Sequence, residues 1–210
     1  MKLKYQLIPL LFPFIWAGCD SDDIYHYPDV QTDLVEIETD AKSNIKLLRT
    51  DNGETFTLTH AVELQKSTPD SLYRMRCTFQ LKEDKKCTLY ATNQVLSPFP
   101  VTPEEFNKKV KQDPVKIISS WMSGGYINLH LGILSQEGKH AFRFIYQGAT
   151  KNVDGTNTHS FLLYHDKGTD PEAYTRDVFL SCPLKKLDIT AKDAVNLSIN
   201  TYEGIKIIAL

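Results

Sequence analysis

Apolar and polar residues alternate in short runs along most of this chain, and turn residues interrupt them about every ten positions. The stretch from Tyr126 to Ile133 shows the pattern most clearly. Ile127, Leu129, Leu131 and Ile133 fall on one face and Asn128, His130 and Gly132 on the other, which is the period of a half-buried strand. Beyond the Glu137-Gly138 turn, Phe142, Phe144 and Tyr146 share a face between His140 and Gln147. Asp154-Gly155 and Tyr202-Glu203-Gly204 punctuate further strands near residues 160–165, 176–182, 196–201 and 205–209, which together predict an antiparallel set. In the first half, apolar runs near 45–49 and 55–59 flank Asp51-Asn52-Gly53-Glu54. Asn-Gly there predicts a type I′ hairpin turn, because both residues tolerate positive φ. A second hairpin is predicted around the polar turn 82–86, between runs near 72–81 and 87–92.

One helix interrupts this pattern. Thr102 caps it, Pro103 suits its first position, and Glu105 completes a capping box. Phe106 and Val110 lie one turn apart, and the helix should end near Lys111, before Asp113-Pro114. The predicted class is mainly β: a small barrel or sandwich over 33–112, closed by this short helix, then an antiparallel β-sandwich over 113–210.

The amino end follows a different rule. Lys2 and Lys4 precede an apolar stretch from Leu7 to Ala17, too short for the roughly 20 residues of a membrane span. It reads as a cleavable signal peptide, residues 1–18. The segment resembles a bacterial lipoprotein signal: Gly18 and Cys19 mark the cleavage point, and the Cys19 sulfur is the predicted lipidation site, carrying acyl chains such as palmitate. The alternative is an ordinary secretory signal in which Cys19 happens to follow the cleavage site. Several chains, at about 0.8 kcal/mol per buried methylene, anchor a protein far more firmly than one. Asp20, Ser21, Asp22 and Asp23 open an acidic tether over 19–32 and resemble the surface-export signal that follows the lipidated cysteine in some bacterial lipoproteins. The alternative for the acidic run is a solvated, self-repelling linker.

Removing residues 1–18 leaves 22 basic and 26 acidic side chains, a formal charge of −4. That balance offers no basic patch, so nucleic acid is not an expected partner. Of the three remaining cysteines, Cys77 and Cys87 flank the second hairpin turn as a candidate disulfide whose register is open. Cys182, between an apolar run and Pro183, reads as a core thiol. No Cys or His spacing suggests a metal site, and no cofactor is expected.

With these residues in place the chain resembles the NigD-like lipoproteins of Bacteroidetes. The resemblance is carried by the acidic run after Cys19, by 113–117 leading into Trp121-Met122-Ser123-Gly124-Gly125-Tyr126-Ile127-Asn128, and by Asn200-Thr201-Tyr202-Glu203-Gly204. The stretch 165–169, with Tyr174 and the strand that follows, adds to it. It implies an N-terminal OB-like β-barrel with the C-terminal sandwich, and an outer-membrane lipoprotein exposed at the cell surface. It supplies no catalytic residues.

Candidate chemistry is sparse. His159 and His165 share a strand face but sit about 20 Å apart, so they read as surface residues rather than joint metal ligands. No nucleophile elbow or phosphate-binding loop appears. Trp121 and Tyr126, beside Gly124-Gly125, either stack against a sugar or a partner's apolar patch, or pack between the two domains. The expected role is non-enzymatic: a membrane-anchored binding or structural module. Its alternatives are a glycan-binding module, a glycan- or peptide-active enzyme with a site between the domains, and a bacteriocin-associated immunity or inhibitor protein.

Overall fold

The computed structural model describes residues 29–210. Gly18, Cys19, Asp20, Ser21, Asp22 and Asp23 lie outside the described residues. Five strands form the first domain: β1 (Gln31–Thr39), β2 (Ile45–Thr50), β3 (Thr55–Leu58), β4 (Leu72–Lys82) and β5 (Lys86–Gln94). They close into a barrel in the order β1-β2-β3-β5-β4, the five-stranded architecture of an OB-like domain. Strand alternation fills it: Val35, Ile37, Leu48, Phe56, Met75 and Phe79 all point into one core. The turn after β2 differs from the predicted type I′. Only Gly53 has positive φ, at 87°, and its amide donates to the Thr50 carbonyl at 3.0 Å. A three-residue loop ending in left-handed glycine meets the same need for strand twist.

Seven strands form the second domain. β6 (Lys116–Ser123), β7 (Tyr126–Ser135) and β10 (Tyr174–Pro183) make one sheet, ordered β10-β7-β6. β8 (Ala141–Lys151), β9 (Asn157–Asp166), β11 (Ala194–Thr201) and β12 (Gly204–Ala209) make the other, ordered β12-β11-β9-β8. Ile127, Leu129, Leu131 and Ile133 of β7 meet Phe144, Phe161, Leu163, Leu197 and Ile199 across the sandwich. The set is not wholly antiparallel. β10 crosses to the other sheet between β9 and β11, so β11 returns parallel to β9. β6 escapes the alternation rule because a bulge between Ile117 and Ser119 shifts its register.

The predicted helix is absent, and the described residues contain none. Its capping box does form. The Thr102 amide donates to Glu105 Oε2 at 2.9 Å, and the Glu105 amide to Thr102 Oγ1 at 3.3 Å. One α-turn follows, from the Phe106 amide to the Thr102 carbonyl at 2.9 Å, and the chain then leaves helical geometry at Lys108. So short a helix is marginal without an apolar face to bury. Only Phe106 packs, edge-on against Tyr164, while Val110 stays 44% exposed.

The linker is instead a strap. Leu96 bridges to Leu180 on the outer edge of β10, Val101 to Ile145 on the outer edge of β8, Gln112 to His165 and Val115 to Thr201. It thereby closes one flank of the sandwich. The other flank, where β6 and β12 end their sheets, carries no further strand among the described residues.

Candidate functional site

The barrel sits on the outer face of the β10-β7-β6 sheet, and β4 explains how. Met75, Cys77 and Phe79 point into the barrel, so Arg74 and Arg76 point out of it. Arg74 lies over the Tyr126 ring at 4.2 Å and Arg76 over the Phe179 ring at 4.8 Å. The Arg74 guanidinium is almost wholly buried, and its fork grips Asp51: Nη1 donates to Oδ1 at 2.5 Å and Nη2 to Oδ2 at 2.8 Å. Nη2 also donates to Asn128 Oδ1 at 3.2 Å, and Nε to Ser181 Oγ at 3.4 Å.

The rest of this seam is equally well satisfied. Ser181 Oγ donates to Asn128 Oδ1 at 2.7 Å, and Asn128 Nδ2 to Ser123 Oγ at 3.0 Å. Trp121 Nε1 donates to the same hydroxyl at 3.1 Å, and that hydroxyl donates to Asp51 Oδ2. This pattern fixes the Asn128 amide in one orientation. Tyr126 donates to Glu36 Oε1 at 2.6 Å. Burial first, and then the Glu36 bond, push its phenol well above the usual range.

Tyr126 is therefore part of the seam between the domains, and Trp121, half-buried, braces it. Of the two sequence readings for this aromatic pair, the packing one describes Tyr126. Sequence reasoning missed Asp51 and Arg74 as a pair, because Asp51 reads as an ordinary turn residue. The outward phase of Arg74 between buried strand neighbours was the one available signal. Gly124 completes the fit. At φ 59° it is left-handed, and a Cβ there would collide with the Asp51 side chain.

The histidines also depart from expectation. His159 and His165 are 4% and 2% exposed, not surface residues. His159 Nδ1 lies 3.0 Å from Tyr146 Oη, and His165 meets His140, which ends the β7–β8 connection just before β8. Both side chains enter the sandwich because they share the alternating face of Phe161 and Leu163, which lie in its core. Ser135, Asp170 and His140 are in contact, but in the wrong order for nucleophile activation. Ser135 donates to Asp170 at 2.6 Å and the carboxylate separates it from the imidazole, whereas a base must touch the nucleophile.

Cys77 and Cys87 are free thiols. The hairpin register sets Cys77 opposite Thr92 and Cys87 opposite Leu81, so the candidate cross-hairpin disulfide is not formed. Burial pushes their thiols up to about 12 and about 11, which leaves them unreactive near neutrality. Cys182 is likewise buried and raised. Among the described residues no group of three or more His, Cys, Asp or Glu side chains is placed to hold a metal. No helix among them is long and apolar enough to cross a membrane.

The open flank is the other candidate site. Ile205 and Ile207 on β12 are 66% and 72% exposed, and each lies opposite a polar residue of β11, Asn200 and Ser198. Lys206 between them is drawn back to Glu203 at 2.5 Å. Beside the strand runs a groove of about 380 Å³, lined by Val115, Ile117, Ile133, Tyr202 and Lys206 among others. The Tyr202 hydroxyl accepts the Leu134 amide at 3.2 Å, which ties this lining residue to β7.

Comparison with known proteins agrees with this architecture. A NigD-like immunity protein from Bacteroides caccae is similar at 25% identity and TM-score 0.63, over 89% of this chain and 94% of that one. A Parabacteroides distasonis protein described as toxin-related aligns at 17% identity and TM-score 0.69, over 87% and 92%. A candidate lipoprotein from Bacteroides fragilis aligns at 13% and 0.61, over 87% and 97%. The last two likenesses concern the fold alone. No curated protein matches. The family described as the NigD-like C-terminal beta sandwich domain matches residues 97–209, more than half of the sequence, and the chain belongs to the NigD-like family.

Proposed function

We propose that this chain is a non-enzymatic lipoprotein of the cell envelope, held by acyl chains on Cys19 and displayed at the outer surface, that binds a protein partner by strand addition to β12. The observation that carries the binding role is the asymmetry of the sandwich. The strap covers the outer edges of β10 and β8, while β12 has no strand partner on its outer edge among the described residues and carries two exposed isoleucines. An uncovered edge offers unpaired backbone donors and acceptors that another strand satisfies, and natural proteins usually blunt such edges. Lys206, the one charge on this edge strand, is tied back to Glu203. The similarity to an immunity protein, a class of protein that acts by capturing another, favours a protein over a glycan as the occupant.

Two experiments separate the anchor from the binding. A Cys19→Ala variant expressed in a Bacteroidetes host should stay uncleaved and take up no fatty-acid probe; normal labelling contradicts the anchor. Selection of extended peptides on the purified full chain should give binders whose affinity falls at least about tenfold in Ile207→Lys. Binders indifferent to that change contradict the β12 assignment.

A further inference from the structure

Asp170, His140, His165 and the Asp113 carbonyl form one unbroken line of hydrogen bonds where the strap enters the sandwich. Asp170 Oδ2 lies 3.0 Å from His140 Nε2, His140 Nδ1 lies 2.8 Å from His165 Nε2, and His165 Nδ1 lies 2.9 Å from the Asp113 oxygen. Both ends of the line are acceptors. Asp170 is held ionised well below the ordinary carboxylate range, by the Ser135 hydroxyl first and by His140 and the loop amides besides. Each contact therefore needs one ring hydrogen: one on His140 Nε2, one between the rings, and one on His165 Nδ1. Two neutral imidazoles carry one fewer than that. The completed line therefore holds three ring hydrogens and has no site for a fourth.

A further proton has no place in it. With both rings fully protonated, the N–H of His140 Nδ1 and that of His165 Nε2 point at each other across the 2.8 Å contact. We propose that the His140–His165 pair is an acid-released latch, whose uptake of one more proton breaks the ring-to-ring contact and frees the strap from β9. The strap is fastened at this point by its backbone. The Asp113 amide donates to the His165 carbonyl at 3.0 Å, and the His165 amide to the Lys111 carbonyl at 3.1 Å. The Lys167 amide adds a bond to Asp113 Oδ2 at 2.8 Å.

The surrounding charges leave the pair as the responsive element. On the strap, Lys111 pairs with Asp166 of β9 at 2.9 Å. Lys111 is raised and Asp166 lowered, each chiefly by that pairing, so neither titrates between pH 5 and about 7.5. Lys167 pairs with Glu172 in the β9–β10 loop, and Arg176 of β10 reaches the Gly138 carbonyl beside His140 at 3.5 Å. His165 stacks on Phe142 with centroids 4.5 Å apart. Burial is the main cause that holds it below the ordinary imidazole range, with His140 adding to the effect and Asp113 and Asp166 opposing it. A histidine lowered in the folded state contributes stability that is complete above about pH 6.5 and is lost as pH falls through its folded value.

The test is amide hydrogen exchange on the full chain, corrected for intrinsic rates, at about pH 7.5 and about pH 5. The Asp113 and His165 amides should exchange at least about tenfold faster at the lower pH, while the Leu129 and Leu131 amides stay protected. His165→Gln keeps an acceptor for His140 but does not titrate, and should abolish the difference. If that variant fails to fold, the His165 ring resonances of the native chain decide: protonation must coincide with opening. Equal protection of Asp113 and His165 at both pH values, or titration of His165 without opening, overturns the latch.

Discussion

The seam under the barrel and the open flank of the sandwich invert the usual rule in opposite directions. At the seam a buried guanidinium meets a half-buried carboxylate, and every polar atom named there has a partner within the chain. At the flank two isoleucines stand in solvent beside an unpaired strand edge. The difference teaches where the molecule is complete. The Arg74 charge is tolerated inside because Asp51, Asn128 and Ser181 meet it from three different elements, whereas the apolar edge meets no strand among the described residues.

Removing a seam partner should have the largest effect. Arg74→Ala leaves the half-buried Asp51 without its countercharge and empties the space of a buried side chain, and should cost about 3 kcal/mol in urea unfolding. A loss near zero would mean that water replaces the guanidinium and that the seam is not closed. Gly124→Ala should cost about 1–3 kcal/mol, since it adds a Cβ at positive φ against Asp51; a neutral result would place the two turns farther apart. Removing the strap's turn is expected to matter less. Thr102→Ala, which deletes one capping bond, should lower stability by about 0.5–2 kcal/mol in the same assay. Smallest of all, Ile207→Lys should leave stability within about 0.5 kcal/mol while it weakens peptide binding at least about tenfold. A large destabilisation there would show that β12 is packed rather than open.

The sequence made some of this legible and hid the rest for physical reasons. The β7 alternation and the turn at Glu137-Gly138 place the sandwich core well, because period-2 patterning reports burial of one face. The capping box at Thr102 was read correctly and still led to a helix that does not form. Local propensity selects a first turn, but the strap's pairings with β8, β9 and β11 require extended chain. The surface reading of His165 fails because its burial depends on His140 of the β7–β8 connection and on a strap running alongside. Asp51 was invisible as a site residue for the same reason: its partner is 23 positions away and the seam joins two domains. Cys77 and Cys87 failed as a pair because the hairpin register, which spacing alone does not set, separates them.

The most direct measurement is an amide-exchange map of the full chain, alone and saturated with a selected extended peptide. Occupation of the flank predicts new protection along β12, with the seam and the barrel unchanged. Protection confined to the barrel, or the failure of every extended peptide to bind, would contradict the assignment of β12 as the binding edge.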